Sequence, residues 1–177
     1  MRVLIVYESM YGNTRVVADQ IAEGLRSHFE TDVVPVERAT PELVAAAQLL
    51  VVGGPTHVHS LPSARTRTAA KTAADKPGSD LVLEPDAESE GLREWFEGLP
   101  HVKNVGAAAF DTRIDGPAIV TGRASKGIGR RLTHRGYDLV ADPESFLVDK
   151  QTHLAEGEAD RALAWAKELA ASLAENP

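Results

Sequence analysis

Residues Val3-Leu4-Ile5-Val6-Tyr7 form an unbroken apolar, largely β-branched run with no polar residue alternating within it. A strand with one face in water alternates polar and apolar side chains, whereas a parallel strand covered by helices on both faces is apolar throughout. The run therefore commits the chain to a sheet buried as a middle layer. The same signature recurs at Leu49-Leu50-Val51-Val52-Gly53-Gly54 and, with smaller side chains, at Val105-Gly106-Ala107-Ala108-Ala109-Phe110. Amphipathic stretches separate these runs, and strands alternating with helices define the α/β class.

The residues directly after the first run narrow the class further. Glu8-Ser9-Met10-Tyr11-Gly12-Asn13-Thr14 is a short polar loop that leads into an amphipathic helix from Arg15 to about Phe29. Gly12 lets the backbone turn tightly, Ser9, Asn13 and Thr14 supply hydroxyl and amide groups, and the helix start presents N–H groups to one concavity. Such a loop is an anion site. It contains no lysine, which excludes the Gly-Lys-Ser/Thr loop that grips the outer phosphates of a nucleoside triphosphate. A monophosphate held by backbone and hydroxyl groups fits.

The stretch Ser9-Met10-Tyr11-Gly12-Asn13-Thr14 resembles the first loop of the flavodoxin-like family, Thr/Ser-x-Thr-Gly-x-Thr, which surrounds the phosphate of FMN. It matches at Ser9, Gly12 and Thr14 and departs at Tyr11. The resemblance implies a three-layer, doubly wound α/β fold with a five-stranded parallel sheet in order 2-1-3-4-5, an order inherited from the family. It also implies FMN at the carboxyl ends of the first, third and fourth strands, with cofactor contacts from Ser9 to Thr14, from Pro55-Thr56-His57-Val58-His59 and from Asp111-Thr112-Arg113. Gly53 and Gly54, at the end of the third strand, are expected to let a flat ring approach the backbone.

The form of the first loop resembles that of flavodoxin-like quinone reductases and other flavodoxin-domain proteins more than that of the small electron carriers. Both later loops lack the large aromatic that the carriers commonly present to the ring; one of them offers His57 and His59 instead. These histidines either contact the pyrimidine edge and relay protons, or are solvated loop residues. Spacing i, i+2 with no further ligand motif does not make a metal site. No side chain stands out as a catalytic acid or nucleophile, so the redox chemistry belongs to the cofactor.

At 177 residues and 43% apolar content the chain is expected to form one domain over residues 1–177. A net charge of −7 argues against a nucleic-acid surface and suits solubility or docking to a basic partner. The absence of cysteine excludes disulfides, thiolate catalysis and cysteine-held iron–sulfur centres. No secretory leader and no membrane-spanning run are evident, so a cytoplasmic location is expected.

The remaining stretches place the scaffold. Asp32 to Val36 reads as an edge strand, where Pro35 is tolerable. Thr40-Pro41-Glu42 and Ser63 begin helices, and Arg65 and Arg67 in the second of these are expected to be exposed. Residues 75–90 form an acidic insertion broken by Pro77, Gly78 and Pro85, either a solvated loop or a docking or oligomer edge. Trp95 and Phe96 are core or interface anchors. Val120 to Gly129 looks like a dinucleotide loop, but with one residue too many between its first glycines it is the start of a covering helix capped by Ser125. Tyr137 to Ala141 and Phe146 to Val148 read as an interrupted fifth strand, and Glu156 to about Ala174 as the closing helix.

Three functions stay open on the sequence. One is an FMN oxidoreductase working between NAD(P)H and a quinone or similar small acceptor. Another is an electron carrier that meets a redox partner protein. The last is a structural or regulatory module with weak or no flavin binding. A homo-oligomer is compatible with all three.

Overall fold

Val3 and Ile5 on one face of the first strand, and Leu4 and Val6 on the other, are at most 2% exposed in the computed structural model, which describes residues 1–175. They belong to β1 (Arg2–Tyr7), which pairs in parallel with β2 (Glu30–Pro35) and β3 (Leu49–Pro55). β4 (Gly106–Ile114) lies beside β3. The outer edge of β4 is shared by β5 (Asp138–Leu139), opposite Gly106 and Ala107, and β6 (Glu144–Val148), opposite Phe110 to Ile114. Among the described residues the order is β2-β1-β3-β4-β5, with β6 also on β4. The interrupted fifth strand thus appears as two pieces on one edge. Pro35 sits in the opposite edge strand, where its missing N–H costs no ladder bond.

The helices are α1 (Asn13–Arg26), α2 (Pro41–Ala46), α3 (Ala64–Ala74), α4 (Leu92–Gly98), α5 (Ala118–Thr121), α6 (Ala124–His134) and α7 (Glu158–Glu175). α1 and α7 cover one face of the sheet, with Val17, Ile21 and Leu25 of α1 and Ala162, Ala166 and Leu169 of α7 packed on Ile5, Val51, Phe110 and Phe146. The two helices touch closely because position 24 is glycine: a Cβ there would lie 2.6 Å from Ala166 Cβ. Phe110 and Phe146 are fully buried and meet edge to face at 6.4 Å. Each such ring contributes roughly 1.5–3 kcal/mol by burial. Val44 of α2, Leu92 and Phe96 of α4, and Ile128 and Leu132 of α6 close the other face. No helix among the described residues is long and apolar enough to cross a membrane.

Local chemistry explains some of the helix starts. Thr40 Oγ1 accepts from Leu43 N with Pro41 in the first turn, and Ser63 and Thr66 cap α3 reciprocally, Ser63 N donating to Thr66 Oγ1 at 2.8 Å. α6 is different, and the expectation that Ser125 caps it is corrected. The helix begins at Ala124, whose N–H donates to Thr56 Oγ1 at 2.9 Å, while Ser125 N–H donates to Asp111 Oδ2 at 2.6 Å. Its caps come from the ends of β3 and β4, so no local motif announces them.

One further expectation is corrected. Arg67 is not exposed: it is buried between α3, α4 and the end of β1, 3.0 Å from Glu94 and 3.6 Å from Glu8. The acidic stretch 75–90 lies on the surface, with Ala87 its one buried residue, and part of it rests on the first loop. Glu84 N–H donates to Met10 O at 2.8 Å, Ala87 is buried with Met10 and Ala70, and Glu84 pairs with Arg15 at 3.2 Å. Glu88 lies 3.6 Å from Lys71, so part of the stretch's acidity is matched within the chain.

Candidate cofactor-binding site

The carboxyl ends of β1, β3 and β4 deliver three loops to one side of the molecule. In the first, Gly12 turns with φ +89°, and its N–H donates to Ser9 Oγ at 3.1 Å. A side chain at Gly12 would be strained and would also reach within 2.9 Å of Glu84 Oε1. The turn aims the start of α1 at the loop. No side chain caps this helix, and its first internal bond runs from Val16 N to Gly12 O at 2.9 Å. The N–H groups of Asn13, Thr14 and Arg15 therefore have no acceptor within the helix, and they stand at the positive end of its dipole. This is a cradle for an anion.

The loop's side chains brace the cradle from three directions. Asn13 Nδ2 donates to Thr152 O at 2.6 Å, and Asn13 Oδ1 accepts from Leu154 N–H at 3.0 Å. The hydroxyls of Thr14 and Thr112 meet at 2.8 Å in a buried bond between the first loop and β4. Tyr11 donates its hydroxyl to Ala70 O at 2.8 Å, and burial pushes this phenol's pKa up. Ser9 Oγ only accepts, from Gly12 N–H, so its hydroxyl proton joins the backbone N–H groups as the donors the loop can offer a ligand.

Beside the cradle opens a cavity of about 380 Å³, within the range of small-ligand sites. Ser9, Met10, Tyr11, Asn13 and Thr14 line it from the first loop, Pro55, Thr56, His57 and Val58 from the second, and Thr112 and Arg113 from β4. Three of the expected residues do not line it. Gly12 lies within the turn, His59 packs its backbone against Gly122, and Asp111 is fully buried and turned toward the start of α6. Burial pushes the Asp111 carboxyl up, against the pull of the Ser125 N–H, and its Oδ1 has no hydrogen-bond partner.

The second loop is a tight hairpin. His57 N donates to Ser60 O at 2.7 Å and Ser60 N to His57 O at 3.0 Å, which drives Val58 and His59 to φ 45° and 68°. A β-branched residue in that region is strained. Val58 is 80% exposed at the rim, while burial pushes the pKa of the His57 imidazole down and keeps it neutral at pH 7. Arg113 is held by its own loop, Nη1 donating to Gly116 O at 2.8 Å and Thr121 Oγ1 at 3.1 Å.

The glycines of β3 have another purpose than the one expected from their position. A Cβ at Gly53 would overlap the Phe110 ring, and one at Gly54 would lie 2.8 Å from Leu92 Cδ1. They make room for core side chains, not for a ligand ring. Sequence reasoning also missed the cavity wall formed by Thr66, Ala69, Ala70 and Ala73 of α3, with Val148 and Thr152 opposite. The small residues along one side of α3 were the available signal.

The fold and site define a doubly wound α/β domain with an anion cradle beside a ligand-sized cavity at its topological switch point. Residues 5–162 match the family model described as Flavodoxin, so the chain belongs to the flavodoxin family. That is a family of electron-transfer flavoproteins, and membership implies a flavin. The curated flavodoxin of Aquifex aeolicus (strain VF5) is 42% identical over 59 residues, a match spanning 32% of each chain. Oxidised flavodoxin 2 from Bacillus cereus superposes with a TM-score of 0.65 over 100% of both chains at 21% identity. The flavodiiron core of Flv1 from Synechocystis sp. PCC6803 gives 0.63 at 16% identity, covering 100% of this chain and 37% of that one. At such identities the two solved structures speak for the fold.

Proposed function

We propose that the chain binds FMN non-covalently in the cavity at the ends of β1, β3 and β4 and carries electrons to or from a partner protein. The observation that supports this most is the uncapped start of α1 at Gly12 beside the cavity: donors for a monophosphate next to room for a ring. When bound, FMN supplies the electron chemistry. The chain's residues hold and orient it. The N–H groups of the first loop and of α1 take the phosphate. Asn13 and Thr14, through Thr152, Leu154 and Thr112, keep the cradle in register with the cavity. Pro55 to Val58 and Thr112-Arg113 form the walls, and the neutral His57 offers a ring nitrogen to the ligand's polar edge.

The test is to add FMN to the purified protein, remove the excess and record the visible spectrum. Retained flavin absorption, shifted from that of free FMN, supports the reading. No retained flavin overturns it and leaves a structural or regulatory module.

A second reading, NAD(P)H-dependent reduction of a quinone or similar acceptor, is favoured by one observation. Among the described residues Tyr11 is the only Phe, Tyr or Trp lining the cavity, and its hydroxyl is tied to Ala70, so neither later loop roofs the cavity with a Phe, Tyr or Trp ring. Consumption of NADH or NADPH by the purified FMN-loaded protein with a quinone selects the enzyme. A carrier needs a separate reductase.

A further inference from the structure

A second concavity lies between α4 and α6, and it shares no lining residue with the cradle or its cavity. Its volume is about 430 Å³, and Arg93, Arg130, Arg131, His134 and Arg135 line it together with Phe96 and Glu97. The chain as a whole carries a net charge of −7, yet this hollow is strongly basic. Elsewhere several arginines sit against carboxylates, Arg2 with Asp32, Arg15 with Glu84, Arg67 with Glu94 and Arg161 with Glu144, and those that do not are scattered and not gathered in one hollow. Among the described residues none of Arg93, Arg130, Arg131 and Arg135 is in an ion pair, and the Glu97 carboxylate is not within ion-pair distance of any of them.

Three of the four are nevertheless fixed in place. Arg93 Nε and Nη2 donate to Leu61 O and Pro62 O, Arg135 donates to Phe96 O, Glu97 O and Leu99 O, and Arg131 Nη1 donates to Gly127 O. Carbonyl oxygens orient a guanidinium without neutralising it. Burial first, then the charges of Arg93 and Arg130, push the Arg131 pKa down, so the cations lie close enough to oppose one another. A helix carboxyl end favours a cation or two in its last turn. It does not account for four arginines from two helices converging on one hollow.

We propose that the α4/α6 cleft binds a small anion of the phosphate or pyrophosphate class. Oriented guanidinium groups with unneutralised charge match phosphate oxygens in both geometry and charge. Concavity and size favour a small ligand over an acidic protein surface, because the volume is that of a ligand site. Arg93 and Arg135 tie separate segments of the scaffold together, whereas Arg131 bonds only to Gly127 O of its own helix and Arg130 is exposed, so the test falls on these two.

The full-length protein, labelled with nitrogen-15, is titrated with sodium pyrophosphate while sodium chloride holds the ionic strength constant. Saturable shifts of the amides of residues 93–97 and 127–135 are expected. The variant R130Q/R131Q should bind pyrophosphate about tenfold or more weakly at these amides, having lost two charge-assisted contacts. It should also melt no lower than the parent, since its loss relieves like-charge opposition. R130Q alone, at an exposed position, serves as the second variant and should weaken binding in the same direction. Three results would overturn the proposal: shifts confined to residues 9–15, equal titration of parent and double variant, or shifts reproduced by sodium chloride alone.

Discussion

Arg67 Nη1 lies 3.6 Å from Glu8 Oε1 with both side chains almost closed to water, and Nη2 of the same guanidinium holds Glu94 at 3.0 Å. Glu8 Oε2 accepts from Leu92 N–H at 2.9 Å, and Glu94 Oε2 accepts from Gly91 N–H at 3.0 Å. One cation thus joins α3, the start of α4 and the residue that precedes the anion cradle. Removing it leaves a buried carboxylate uncompensated, which costs about 3–5 kcal/mol. Arg67→Met should lower stability by that order in urea unfolding and weaken FMN retention, because Glu8 is adjacent to Ser9. Glu8→Gln, which keeps an acceptor for Leu92 N–H, should cost much less.

The turn at Gly12 makes a sharper test of the cradle. Alanine there must adopt φ +89°, at about 1–2 kcal/mol for an L residue, and must displace the Glu84 carboxylate from 2.9 Å. Gly12→Ala should therefore lose FMN affinity about tenfold or more by fluorescence titration. The melting temperature of the flavin-free protein should fall only modestly. A variant that binds FMN as the parent does would place the phosphate elsewhere.

Whereas the strand order came from the family resemblance alone, the layered fold was legible because continuous apolar runs and helix-start residues are local signals, as at Val3 to Tyr7 and Thr40-Pro41. The anion loop was legible for the same reason: Ser9, Gly12 and the start of α1 are adjacent in the chain. The features that stayed hidden are carried by contacts between distant residues. Arg67 reads as a surface cation until α4 brings Glu94 against it. Gly53 and Gly54 read as a ligand approach until Phe110 and Leu92 fill the space above them. The wall supplied by α3 went unread because alanine and threonine suit a sheet-covering helix equally well.

The start of α6 depends on such a distant contact too. Thr56 Oγ1 accepts from Ala124 N–H at 2.9 Å, across 68 residues of sequence, and satisfies a donor that would otherwise be an orphan of the helix end. Thr56→Val keeps the shape and removes the acceptor. It should destabilise the protein by about 1 kcal/mol, the usual cost of a lost cap, while Thr56→Ser should restore most of it. Equilibrium urea unfolding of the two variants checks this.

Asp111 gives the pH-dependent counterpart. Its carboxyl is fully buried, Oδ2 accepts from Ser125 N–H, and neither Oδ1 nor the Ser125 hydroxyl has a partner. Burial raises its folded pKa above the ordinary 3.8, so at neutral pH the folded state carries the cost of an enclosed charge. As pH falls through the raised folded value toward 3.8, the folded state takes up the proton before the unfolded chain does. The contribution of Asp111 to stability therefore rises over that window. Asp111→Asn retains an acceptor for Ser125 N–H and has nothing to titrate. Urea unfolding of both proteins from pH 7 downward should show the parent gaining stability relative to the variant. A difference between them that stays constant with pH would mean that Asp111 keeps its ordinary affinity for the proton inside the fold, and that Oδ1 is stabilised by a group other than those described.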